Sequence, residues 1–209
     1  MILFVLTILV VFAILLVNEL WWRKRNIHGE FSRKFVHVTV GSFVAFWPFY
    51  LSWRQIEILS VAFFIVVALS KYLKLFQAIH SVQRPTWGEL CFAVSVGLVA
   101  TITHNKWIYA ASLLQMALAD GFAAIIGLRF GGRFSYRIFG HTKSVIGTLT
   151  FFVVSLLILI AFDHSSKIHL DYTWIILASL TASLLENVAS LGLDNLLVPV
   201  VVAILLIHH

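Results

Sequence analysis

Asp120 lies in the run LLQMALADGFAAIIGLRFGGR, after a dozen largely apolar residues, and Ala123, Gly127 and Gly131 follow it at helical intervals. Offsets of 3, 7 and 11 are near whole turns of an α-helix, so the four positions fall in one narrow stripe. A carboxylate inside a membrane segment costs a few kcal/mol or more, and such a group normally faces a protein interior or a wet cavity. Small residues along the stripe let a second backbone or a ligand come close. Helix packing would account for the glycines alone, but packing does not need an acid. Carboxylates with few competing ligands hold Mg²⁺, which keeps waters and takes phosphate oxygens to complete its octahedron. Arg129, Arg133, Arg137 and Lys143 crowd the exit of the run. The chemistry expected of this set is a metal-dependent site for a phosphorylated compound at a membrane surface.

Three further groups carry possible chemistry. Lys143 and Ser144 stand just before a helix expected to begin at Val145, and a helix N-terminus with a lysine and a hydroxyl is a ready anion site. The stretch Gly140-His141-Thr142-Lys143-Ser144 is not a P-loop, because Thr142 occupies the place of the required glycine. Glu186, with Asn187 beside it, sits late in an apolar helix, where a buried acid is functional by default. Asp194-Asn195 follows Gly192, where a helix can open and free backbone groups to line a cavity; a helix N-cap is the plainer role for Asp194. Arg33 and His37 are four apart on one helical face, and His37 reads as a general base, a phosphate ligand or an interfacial histidine.

These residues must be positioned by a membrane framework. The chain has 209 residues, 61% hydrophobic and 11% charged, with a mean hydropathy of +0.98. Soluble domains carry about 25% charged residues. The composition predicts a single all-α, polytopic membrane domain over 1–209, with 1–22 as an accessory first helix and a core over 30–207. The net charge of +6 then reads as loop charge facing anionic headgroups rather than as a nucleic-acid surface. Cys91 lies in an apolar run and offers no disulfide or thiolate metal site. Arg23, Lys24 and Arg25 follow the first apolar stretch instead of preceding it, which predicts a retained helix rather than a signal peptide.

At about 20 apolar residues per crossing, segments are expected near 2–22, 35–52, 55–73, 88–104, 107–128, 144–162, 172–191 and 196–207. The last is short and contains Pro199, so it reads as a re-entrant or broken helix and the count is seven or eight. With the N-terminus outside, Arg23, Lys24, Arg25, Arg33, Lys34, Lys71, Lys74, Arg84, Arg129, Arg133, Arg137 and Lys143 fall on one side. Only Arg54, Lys106 and Lys167 fall on the other, which fixes the orientation by the positive-inside rule. Glu30, Glu89, Asp120, Glu186 and Asp194 lie on or near that same cytoplasmic side, where a nucleotide and a metal would meet.

In order along the chain, the motifs are Arg33-Lys34-x-x-His37, Gly88-Glu89, Ala119-Asp120-Gly121-Phe122-Ala123 through Gly127 and Gly131, and Lys143-Ser144-x-x-Gly147-Thr148. Glu186 and Asp194-Asn195-Leu196-x-Val198-Pro199 complete them. Together they resemble the CTP-dependent membrane lipid kinases, the family of dolichol kinase, phytol kinase and the yeast-type diacylglycerol kinase. The resemblance implies a CTP site formed by Asp120, Gly127, Gly131 and Lys143. In phytol-kinase-like sequences the helix usually carries a second acid and an arginine where this chain has Ala124 and Leu128. Further metal ligands are therefore expected from Glu186 or Asp194.

The function expected on this basis is Mg²⁺-dependent phosphoryl transfer from CTP, or another nucleotide, to the hydroxyl of an isoprenoid alcohol or diacylglycerol in the bilayer. Asp120, Lys143, Glu186 and His37 are the expected catalytic residues. Arg33, Ala123, Gly127, Gly131, Arg133, Lys143, Ser144 and Gly147 are expected to hold the nucleotide. Asp120, Glu186 and Asp194 are expected to hold the metal. The nearest rival is a CTP-dependent cytidylyltransferase making a CDP-activated lipid. Such enzymes carry a C-terminal lysine- and arginine-bearing segment, and this chain has neither residue after position 170. An ion-coupled transporter is more remote, because no inverted partner of the Asp120 region is found in the other half.

Overall fold

A computed structural model describes residues 2–25, 29–73, 87–132, 134–138, 141–166 and 168–209. Apolar runs become helices in sequence order: α1 (Ile2–Arg25), α2 (Glu30–Ala45), α3 (Trp53–Leu73), α4 (Gly88–Ile102), α5 (Lys106–Leu114) and α6 (Asp120–Phe130). They continue with α7 (Val145–Ser165), α8 (Tyr172–Val188) and α9 (Asp194–Ile207). A π-helical turn, Gln115–Ala119, joins α5 to α6, so Lys106–Phe130 is one unbroken 25-residue rod.

Local chemistry explains the ends. Polar side chains within α1 turn back on their own helix, Thr7 onto the Leu3 carbonyl at 2.7 Å and Asn18 onto that of Ile14 at 2.8 Å. Both are buried against the bundle, where an unpaired polar group is costly. Asn105 caps α5 by accepting from the N–H groups of Trp107 and Ile108, and Ser144 caps α7 by accepting from Gly147 at 3.0 Å. The segment expected over 35–52 is divided. Helix α2 stops at Ala45, and a short 3-10 turn, Trp47–Phe49, carries Pro48 in its first turn. Proline suits that position because it has no N–H to place.

Among the described residues, four helices are long and apolar enough to cross a bilayer: Ile2–Trp22, Trp53–Leu73, Lys106–Phe130 and Val145–Ser165. Gly88–Ile102 and Asp194–Ile207 are apolar but shorter, and at 1.5 Å per residue each reaches only about 20 Å. The last segment is a continuous helix with Pro199 inside it rather than a broken one. The break comes earlier, at Leu191 and Gly192, which take positive φ of 58° and 91°. Glycine accepts that backbone freely, whereas leucine is held there at a cost of about 1–2 kcal/mol.

The rod α5–α6 is central. It packs on α2, α7 and α9, while α3 lies against α4 and α8 against both α7 and α9. Tyr109, Leu113 and Met116 of the rod are buried with Ile56, Phe151, Leu159 and Val202. Leu149, Leu157 and Leu184 point outward and are more than half exposed, the inverse of a soluble surface and suited to lipid. Between α6 and α7 the chain expected as loop forms an antiparallel hairpin, β1 (Ser135–Ile138) with β2 (His141–Ser144). Tyr136 pairs with Lys143 and Arg137 with Thr142. It is the strand pairing found among the described residues, and the helical class otherwise holds.

Candidate active site

Asp120 opens α6 directly after the π turn and is 4% exposed. Lys34, from the first half of α2, sets its Nζ 2.5 Å from Asp120 Oδ2. His37, one turn further along α2, has Nε2 3.6 Å from the same oxygen. Glu186 arrives from the last turn of α8 and Asp194 from the first of α9. The sharp turn at Leu191 and Gly192 brings these two helix ends together. Asp120, Glu186 and Asp194 each offer a carboxylate oxygen, and the three oxygens lie within 4.8 Å of one another.

The hairpin closes the site from the side. Lys143 on β2 donates to the Glu186 carboxylate and, at 3.0 Å, to the Glu186 carbonyl. Burial alone would lower the Lys143 pKa, but the Glu186 carboxylate against it outweighs that and holds the pKa above the ordinary lysine value. Tyr136, the cross-strand partner of Lys143, donates its hydroxyl to Asn187 Oδ1 at 2.5 Å. Thr148 also donates to Asn187 Oδ1, at 3.1 Å. Facing residues of the hairpin thus grip consecutive residues of α8.

The glycine stripe has a visible purpose. A Cβ on Gly127 would stand 2.9 Å from Ser144 Oγ, and one on Gly147 3.0 Å from the Ala123 carbonyl. The stripe therefore seats α6 against the first turn of α7, with the Ser144 cap between them. One edge of the contact opens on a cavity of about 530 Å³, within the roughly 300–1,000 Å³ usual for ligand pockets.

Most of the residues singled out from sequence meet at this cavity. Asp120, Glu186, Asp194, Arg33, Ala123, Gly127, Gly131, Lys143, Ser144 and Gly147 all line it. Arg33 reaches it while bound to Glu30 at 2.5 Å, with Glu89 at 3.9 Å. Ala124 and Leu128, the positions where an acid and an arginine were missed, also line it. His37 does not. It lies behind Asp120, buried, with Nε2 at 3.0 Å from the Met116 carbonyl. Arg133 is outside the described residues. Lys34, Thr148 and Asn195 line the cavity although no site role was assigned to them. Lys34 had a usable signal: Lys34, His37 and Gly41 repeat at offsets of 3 and 7, the same stripe that drew attention to Asp120.

The carboxylates fit a hard divalent cation. Mg²⁺ holds oxygen ligands at about 2.0–2.1 Å, so opposite ligands stand about 4 Å apart. Among three ligands of an octahedron at most one pair is opposite and the others stand about 3 Å apart, so oxygens within 4.8 Å of one another would have to draw together by up to about 2 Å around the ion. Ser144 and Gly147, at the N-terminus of α7, line the same cavity; the Gly147 and Val145 N–H groups are already taken by Ser144 Oγ and the Phe134 carbonyl, so what this end offers an anion is the positive end of the helix dipole.

Lipid-facing helices around a buried set of acids and lysines define a membrane protein with an enzyme-like polar site. The chain is 34% identical over 197 residues to a protein of Synechocystis sp. named phytol kinase, and the match covers 90% of this chain and 82% of that relative. It belongs to the phytol/dolichol kinase-type family. No family model matches the chain, and no solved structure does.

Proposed function

We propose that this protein transfers the γ-phosphoryl group of CTP, or of another nucleoside triphosphate, to the hydroxyl of a phytol-like isoprenoid alcohol. The observation that carries this reading is the meeting of three carboxylates with Lys34, Arg33 and Lys143 at one cavity of an otherwise apolar bundle. Phosphoryl transfer asks a protein mainly for positioning and charge stabilisation, and this site is equipped for both. In the proposed topology the cavity faces the basic, cytoplasmic side of a seven- or eight-span bundle whose N-terminus is outside.

Asp120, Glu186 and Asp194 would hold Mg²⁺, which neutralises phosphate oxygens when bound. Lys143 and Arg33 would bind the phosphates and balance charge as it develops. The positive end of the α7 dipole, beside Ser144 and Gly147, would favour a phosphate oxygen. Lys34 holds Asp120 in place, and Glu186 is held by Lys143. Asp194 has no lysine or arginine at ion-pair distance among the described residues, so with one oxygen given to the metal its other oxygen would be left to accept the acceptor hydroxyl's proton. The base role first considered for His37 passes to it, because His37 does not reach the cavity. The alcohol's hydrocarbon chain would enter sideways from the bilayer, past the exposed Leu128 and Leu191 at the rim.

Purified protein with Mg²⁺ and γ-labelled CTP or ATP, offered phytol, farnesol, a dolichol-type alcohol and diacylglycerol, tests this directly. Label in the lipid supports the reading, and the preferred pair names the substrates. Pyrophosphate release with a CDP-lipid would replace it with cytidylyl transfer.

A further inference from the structure

The π turn before Asp120 leaves a backbone group to be satisfied. In an α-helix the Asp120 N–H would bond to the Met116 carbonyl, four residues back. Here it bonds to the Gln115 carbonyl instead. Met116 is 1% exposed, and a buried carbonyl without a donor is strongly disfavoured. The donor comes from another helix: His37 Nε2 stands 3.0 Å from the Met116 oxygen. A carbonyl can only accept, so Nε2 carries the proton and points it away from the cavity.

The surrounding packing holds this contact in place. Helix α2 lies so close to the π turn that a Cβ on Gly41 would come 2.6 Å from Ala117 Cβ, and one on Gly121 would overlap Val38. Phe92 meets the imidazole edge-on at 5.3 Å between ring centres. One face of α2 thereby serves the start of α6 twice, with Lys34 on the Asp120 carboxylate and His37 on the turn that aims it. A π turn inserts one residue into the helical register and rotates everything after it by about 100°. Restoring α register at Met116 would swing Asp120 out of line with Glu186 and Asp194.

We propose that His37 is a positioning residue: its ring N–H replaces the backbone donor that the π turn takes from Met116, and so keeps Asp120 aimed into the cavity. The functional part of this inference rests on the role proposed for Asp120 above; the structural part does not.

Hydrogen exchange across Met116–Gly121, measured with kcat and the Mg²⁺ dependence of turnover, tests it in His37→Ala and His37→Gln. Glutamine puts an amide N–H where the imidazole Nε2 stood and has no basic lone pair there. Loss of the donor in His37→Ala should speed exchange in this stretch by about tenfold and raise the Mg²⁺ concentration for half-maximal rate more than it lowers kcat. His37→Gln should restore both. Should His37→Ala fail to fold, His37→Gln decides alone: near wild-type kcat with a protected turn is the expected result. A His37→Gln enzyme with a protected turn but kcat as low as that of a dead variant would overturn the proposal, since the imidazole would then act in the chemistry. Wild-type exchange and rate in His37→Ala would overturn it equally. Asp120→Asn with undiminished Mg²⁺ dependence would instead remove the metal reading and leave the exchange result standing.

Discussion

Asp120 and Lys143 do different work with opposite charges. Asp120 is tied to Lys34 at 2.5 Å and shares its space with Glu186 and Asp194, so its replacement should remove a proposed metal ligand without opening a hole. Asp120→Asn should lower turnover by about 100-fold or more while the protein still folds, and a steady-state assay beside a thermal melt in detergent checks both halves. Lys143 has a pKa raised by Glu186 in spite of its burial. A raised lysine pKa means that the pair's stabilisation is fully present below the ordinary lysine value and fades only as pH climbs through the higher folded one. The melting difference between wild type and Lys143→Met should therefore be the same at pH 7 and pH 9. A difference that shrinks between those pH values would contradict the pairing.

At the scale of elements, the contact of α6 with α7 and the grip of the hairpin on α8 set the shape of the cavity. Gly147→Ala puts a methyl against Ser144 Oγ and the Ala123 carbonyl, whereas Gly132 has nothing within 4 Å of the same position. Overpacking should cost Gly147→Ala about 1–3 kcal/mol, and Gly132→Ala should melt like wild type. Tyr136→Phe removes one hydroxyl from the Asn187 contact. It should raise the nucleotide KM about three- to tenfold with little change in melting. The stripe through Asp120, Gly127 and Gly131 and the helix start at Ser144 were legible in the sequence because period and cap are local signals. The hairpin was not: its strands are four residues each, too short for alternation to stand out. The π turn left no trace either, since LLQMALA is equally apolar in either register. The role of Lys34 was missed although its spacing to His37 and Gly41 was on view, because a lysine beside an arginine reads as loop charge.

For the whole molecule, an apolar surface encloses a polar cavity, and composition alone announced the membrane. The number of crossings was less legible, because Gly88–Ile102 and Asp194–Ile207 are apolar yet short. The proposed orientation makes a sharp prediction with single cysteines in a Cys91→Ser background. Arg137→Cys in the hairpin should react with an impermeant maleimide only from the cytoplasmic face, and Lys106→Cys, at the far end of the 25-residue rod, only from the opposite one. In the proposed reaction this cavity moves a γ-phosphoryl group onto a lipid hydroxyl. The most direct measurement supplies γ-labelled CTP, Mg²⁺ and phytol to wild-type and Asp120→Asn protein in the same detergent. Wild type should yield labelled phytyl phosphate and the variant almost none; equal labelling by the two proteins, or a CDP-lipid in place of the monophosphate, would rule out γ-phosphoryl transfer at this cavity.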